Sequence, residues 1–264
     1  MLIKAKILNN YKLNSLDGEI GKVKDLYFED QYWTIRYLIA NTGNWLTGRQ
    51  VLLSPKSLLS NNQKEEYINI NLTKSQIESS PSLESDKPVS MQYQEKLYGY
   101  LALPMYGMGM GMEIGGVGAT VPYIPIENDI EKLKAFTKEQ NEWDPHLRSI
   151  HNVRGYDIQG KDDKIGHLED IIIDDETWEI RYLIIDTQNW LPGKKILLAP
   201  QWIESVSWDE SKLSVNFLCE DIKQSPEYTE ETVLNREFET NLYQHYKREG
   251  YWHAGSDVKN DFVK

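Results

Sequence analysis

The feature that most constrains this chain is that it spells one passage twice. WTIRYLIANTGNWLTGRQVLL, residues 33–53, returns 145 residues later as WEIRYLIIDTQNWLPGKKILL, residues 178–198. Residues 17–55 and 162–200 align without a gap and are identical at 19 of 39 positions. The same offset pairs Ile77 with Ile222, Pro81 with Pro226, Leu97 with Leu242 and Tyr106 with Tyr251. The repeating unit is therefore about 107 residues long, far above the ~20–50 residues of solenoid repeats. The chain of 264 residues reads as two copies of one domain, 1–107 and 145–264, joined by a segment at 108–144.

Both copies can be read together for local structure. β-rich, partly alternating runs at 20–29 and 165–174 predict strands. Runs at 33–41 and 178–186 predict the next pair, with short DQY and DET links suited to hairpins. Third strands are expected at 50–53 and 195–198, stopped by Pro55 and Pro200, and fourth strands at 67–72 and 213–218. Short strands with tight turns point to a small antiparallel barrel or sandwich in each copy. Helical stretches are predicted at 73–79 and 220–224. Longer ones follow at 90–101 and 234–246. In the latter, Phe238, Leu242 and Tyr246 fall on one face and Asn235 is placed to cap. The Met- and Gly-rich run at 105–127 reads as a linker, with contact to a membrane or a hydrophobic groove as the other reading. A short helix is expected between 127 and 143, from Ile130, Leu133 and Phe136.

Charge and composition narrow the function classes. The net charge is −12, divided as +1 over 1–107, −4 over 108–144 and −9 over 145–264. Nucleic-acid binding draws on a basic surface, and neither copy offers one. No run approaches the ~20 apolar residues of a membrane helix, and the start lacks a signal-peptide pattern, so a soluble, cytoplasmic protein is expected. Cys219 is the single cysteine, which excludes an internal disulfide and reads as a semi-buried, inert thiol.

The search for chemistry yields no catalytic, metal or cofactor set. The five histidines form no metal-binding spacing, and none recurs between copies. No nucleophile elbow, phosphate loop or dinucleotide fingerprint is present. Asp25 with Arg36, and Asp170 with Arg181, lie on adjacent predicted strands and are expected to form cross-strand ion pairs. Apolar bulk in the turns, Trp45-Leu46 and Trp190-Leu191, is unusual because turns are polar as a rule. Two readings stand: these tryptophans cap the barrel end, or they anchor a partner. Trp252 poses the same choice.

Residues 147–208 also carry a recognisable pattern. They open with L-R-S and a Gly-Tyr, continue as D-x-x-I-G-x-x-x-D and W-x-I-R-Y-L-I-x-D, and stop at L-L-x-P. This resembles the PRC-barrel domain family, and the first copy matches from Leu2 with a weaker opening. The resemblance covers about four fifths of the chain. It implies two tandem small antiparallel PRC-like β-barrels, mainly β, each followed by short helices. It is similar to the cytoplasmic domain of the photosynthetic reaction-centre H subunit and to the C-terminal domain of the ribosome maturation factor, both of which work by docking to other proteins. The expectation is a non-enzymatic interaction module, partner unknown, in which the two repeats form an internal pseudo-dimer. The alternatives are a peripheral component of a membrane or photosynthetic assembly, and a ribosome or RNA-processing factor acting through a ribosomal protein. The acidic residues Glu127, Asp129 and Glu131 beside the linker oppose contact with an anionic membrane.

Overall fold

A computed structural model describes residues 1–43, 45–46, 48–62, 64–79, 146–187 and 194–253. The segment 108–144, the expected helix at 90–101, and Trp190 with Leu191 lie outside them.

The first repeat runs β1 (Leu2–Lys4), α1 (Ala5–Leu8), β2 (Lys12–Ser15), β3 (Gly18–Glu29), β4 (Thr34–Asn41), β5 (Gln50–Leu53), β6 (Leu58–Asn62), β7 (Tyr67–Ile70) and α2 (Lys74–Ser79). The second runs β8 (Leu147–Ser149), α3 (Ile150–Val153), β9 (Asp157–Gln159), β10 (Lys164–Asp174), β11 (Ile180–Asp186), β12 (Lys195–Leu198), β13 (Ile203–Ser207) and β14 (Lys212–Val215). It closes with α4 (Cys219–Lys223) and α5 (Arg236–His245). The fold is mainly β, with two seven-stranded sheets of the same order, β5-β4-β3-β2-β7-β6 and β12-β11-β10-β9-β14-β13.

The sheets depart from an all-antiparallel barrel in two ways. β2 pairs with β7 in parallel, as β9 does with β14, and each ladder is an open path. The cause is the 3-10 turn at Pro55–Ser57, repeated at Pro200–Trp202. It redirects the chain from β5 into β6 without reversing it, so β7 returns in the direction of β2.

The seventh strand of each sheet comes from the other repeat. β1 pairs with β10, placing Leu2 opposite Asp174 and Lys4 opposite Ile172. β8 pairs with β3, placing Leu147 opposite Glu29 and Ser149 opposite Tyr27. The two registers are equivalent at the 145-residue offset. The repeats have thus exchanged their first strands reciprocally, as a swapped dimer would, within one polypeptide.

Packing explains the repeated apolar positions. Leu26, Leu38, Ile39 and Leu52 of the first repeat, and Ile171, Leu183, Ile184 and Leu197 of the second, are all at most 2% exposed. The repeated glycine in the I-G dipeptide has a steric cause. A Cβ on Gly21 would lie 2.1 Å from the Asn41 carbonyl oxygen, and one on Gly166 would lie 2.0 Å from that of Asp186. Only a residue without a side chain lets β3 and β10 come this close to the next strand.

Candidate functional site

The junction between the repeats is built first by the two hairpins. Trp33 and Trp178, expected to begin strands, instead occupy left-handed turns with φ of 52° and 60°. This conformation turns the Trp33 carbonyl to accept from the Ile180 N–H at 2.7 Å, and the Trp178 carbonyl to accept from the Ile35 N–H at 2.8 Å. A bridge between Thr34 and Glu179 completes a short two-fold seam.

The repeated aspartates form the second layer. The expected pairs Asp25–Arg36 and Asp170–Arg181 are not brought together. Arg36 in β4 and Arg181 in β11 are themselves the unpaired residues of bulges, which leaves Asp25 opposite Ile39 and Asp170 opposite Ile184, three residues along the strand from each arginine. Each aspartate turns to the exchanged segment. Asp25 accepts from the Ser149 hydroxyl at 2.5 Å and from the His151 N–H at 3.2 Å. Asp170 accepts from Arg154 at 2.7 Å and from the Lys6 N–H at 3.1 Å. Lys6 and His151 are equivalent positions, so each carboxylate caps the first turn of the short helix that follows an exchanged strand. Arg181 pairs with Asp174 and Glu179, and its guanidinium lies 4.2 Å from the centre of the Tyr251 ring.

The rim of the junction is charged. Glu29, Asp30 and His146 lie close enough together to match a metal site in donor count alone. Their lone pairs are engaged: Glu29 accepts from the Gln31 and Tyr32 N–H groups, and Asp30 accepts from Arg148 at 2.9 Å with His146 Nδ1 also at 2.9 Å. The cluster is an ion network between repeats. At the other rim, Lys4 bonds Glu230, and Lys195 donates to Glu169 at 2.7 Å.

The turn tryptophan of the first repeat lies against its own unit. Trp45 and Leu46 are half-buried on the core, and the Lys74 ammonium stands 5.7 Å from the Trp45 ring centre. Trp252 is also half-buried, edge-on to Tyr243 at 5.1 Å and covered by the Arg236 guanidinium at 4.2 Å.

One cluster carries only a partial sequence signal. Glu239, 3% exposed on α5, accepts from the Tyr182 and Tyr251 hydroxyls at 2.7 and 2.8 Å and pairs with Arg236 at 3.1 Å. Burial, then the neighbouring carboxylate, pushes the Tyr182 hydroxyl far above its ordinary range. Tyr182 is repeated as Tyr37, which was the available hint; nothing in the spacing pointed to Glu239. The cluster fastens α5 to β11. Cys219 is 7% exposed, and burial with the Asp162 carboxylate pushes its thiol up to about 11.

No helix among the described residues is long and apolar enough to cross a membrane. No curated protein matches the chain. Residues 145–217 match the family model of the PRC-barrel domain, over the strands β8 to β14 whose order and register the first repeat shares. By that match residues 145–217 carry a PRC-barrel domain.

Proposed function

We propose that the protein is a non-enzymatic docking scaffold that presents two PRC-like units in one fixed arrangement to a protein partner. The observation that carries this reading is the reciprocal strand exchange. With β1 in the second sheet and β8 in the first, neither unit can turn away from the other without breaking a ladder. A body of this kind suits the holding of a partner across both units. The repeated polar residues Asp25 and Asp170 are used up in maintaining the exchange. The charge of −9 over 145–264 favours a partner with a basic surface.

The test is cross-linking and capture from native extract with the wild type and the Trp45→Ala/Trp190→Ala variant, with circular dichroism on both. A discrete partner captured by the wild type, with contacts on both units, supports the scaffold. Catalytic turnover by the purified chain without a partner, or contacts confined to unfolded material, would overturn it.

A further inference from the structure

Among the described residues β6 is an edge strand of the first sheet, and beside it a cleft of about 410 Å³ separates it from the 175–178 turn of the second repeat. That volume lies within the ~300–1,000 Å³ of ordinary ligand sites. Leu58, Leu59, Asn61 and Ile68 line one side, and Glu176 and Trp178 the other. Both polar atoms of the Asn61 carboxamide are withdrawn from water and have no hydrogen-bond partner among the described residues. Buried polar groups are paired as a rule, because leaving them unpaired destabilises the fold.

The other repeat contains the stable solution at the same place. The residue 145 positions on is Val206, which faces Leu213 in the register in which Asn61 faces Ile68. One copy thus keeps an unsatisfied amide where its twin carries an aliphatic side chain. Proteins tend to break such a local rule at functional sites.

We propose that this cleft binds an extended peptide segment of another protein, apolar with a basic residue, whose main chain pairs with Asn61. In an extended chain the N–H and C=O of one residue point to the same side. A carboxamide offers one acceptor and donors side by side, and so matches that pair. The neighbouring edge strand offers a ladder for the same segment, as in other strand-addition complexes. Leu59 on that strand is 59% exposed, and the Glu176 side chain beside the cleft is 86% exposed, which gives the apolar and basic residues their places. The carboxamide is reached by widening the cleft on the β6 side, where among the described residues the strand is held only by β7. This inference rests on the protein-docking reading and names its site.

The experiment selects a phage-displayed library of random dodecamer peptides on the full chain. Affinities of the enriched peptides are then compared for wild type, Asn61→Val and Leu59→Glu, with thermal melts and sedimentation on each. The expected result is enrichment of apolar, basic peptides whose Kd rises about tenfold or more in both variants, while the melting temperature of Asn61→Val stays level or rises. No enrichment, or equal binding by wild type and Asn61→Val, overturns the proposal. If Asn61→Val melts lower, Leu59→Glu decides alone, because its side chain is exposed. Self-association that Asn61→Val abolishes would assign the cleft to a second copy of this chain and overturn a foreign peptide. Unchanged peptide binding in Asn61→Val alongside partner capture across both units would remove the cleft and leave the scaffold standing.

Discussion

The Asp25 carboxylate reaches 124 residues along the chain to accept a hydrogen bond from the Ser149 hydroxyl at 2.5 Å. Its counterpart Asp170 does the same for the opposite exchange through the Lys6 N–H, and also accepts from Arg154 of its own repeat. The side chain of Asp170 is 3% exposed and that of Arg154 is 21% exposed. Asp170→Ala leaves a half-buried guanidinium and a helix N–H without their acceptor, and a loss of about 2–4 kcal/mol is expected. Denaturant unfolding followed by tryptophan fluorescence measures it. A change below about 0.5 kcal/mol, the scale of an ordinary surface substitution, would show that the carboxylate does not hold the exchange.

Glycine at position 166 is a steric requirement. Gly166→Ala places a methyl group 2.0 Å from the Asp186 oxygen, so β10 must separate from β11. Gly43, unlike Gly166, has a positive φ, +54°, and an added Cβ there meets no atom within 4 Å. Gly43→Ala is therefore expected to destabilise by only the ~1–2 kcal/mol of a left-handed residue. Gly166→Ala is expected to lose more than that, and to reduce soluble yield. Thermal melts of the two variants side by side check the order.

The Cys219 thiol is expected to react slowly in the native protein. With its pKa pushed up to about 11 by burial and by the Asp162 carboxylate, little thiolate is present at neutral pH. Reaction with a disulfide reagent at about pH 7.5, below the ordinary thiol pKa, should accelerate strongly in denaturant. Equal rates in the folded and unfolded protein would contradict the packing of α4.

Acid should loosen the junction. Burial alone would raise the pKa of Asp174, but the Glu176 N–H and the Arg181 guanidinium outweigh it and hold the carboxyl below its usual range. Glu230 is likewise held low by its bond to Lys4, against a smaller effect of burial. A folded value below the unfolded one means stability is present above the ordinary carboxylate range of about 4 and is lost as pH falls through the folded value. Unfolding free energy should therefore drop below about pH 4. Asp174→Asn should lower stability at neutral pH and flatten that drop. A parallel profile for wild type and variant would exclude Asp174 as a source.

The repeat, the mainly β character and the strands at 50–53 and 195–198 were legible because their causes are local: apolar runs, hairpin links and a proline stop. The helix around 236–245 was legible from one apolar face and from Asn235, whose side chain accepts from the Phe238 N–H as a cap. The exchange was not legible. β1 and β8 are three residues each, and what makes them strands is a partner in the other repeat. The aspartate–arginine pairing was misread for a related reason. A count of residues along two strands assumes an unbroken ladder, and the bulges at Tyr27/Phe28 and Ile172/Ile173, which leave Arg36 and Arg181 unpaired in the ladder, shift it. Asn61 gave no signal by itself; its meaning came from the burial of its amide and from Val206 in the other repeat.

The exchanged strands also set a timetable for biosynthesis. The first sheet draws its strands from residues 12–70, except the one beside the end of β3, and that place is filled by residues 147–149. At roughly 5–20 residues per second, several seconds of translation separate Ile70 from Leu147. During that interval β3 carries an uncovered edge, and β1 waits for β10, which is made later still. Neither half can finish folding until the opening strands of the second repeat have left the ribosome.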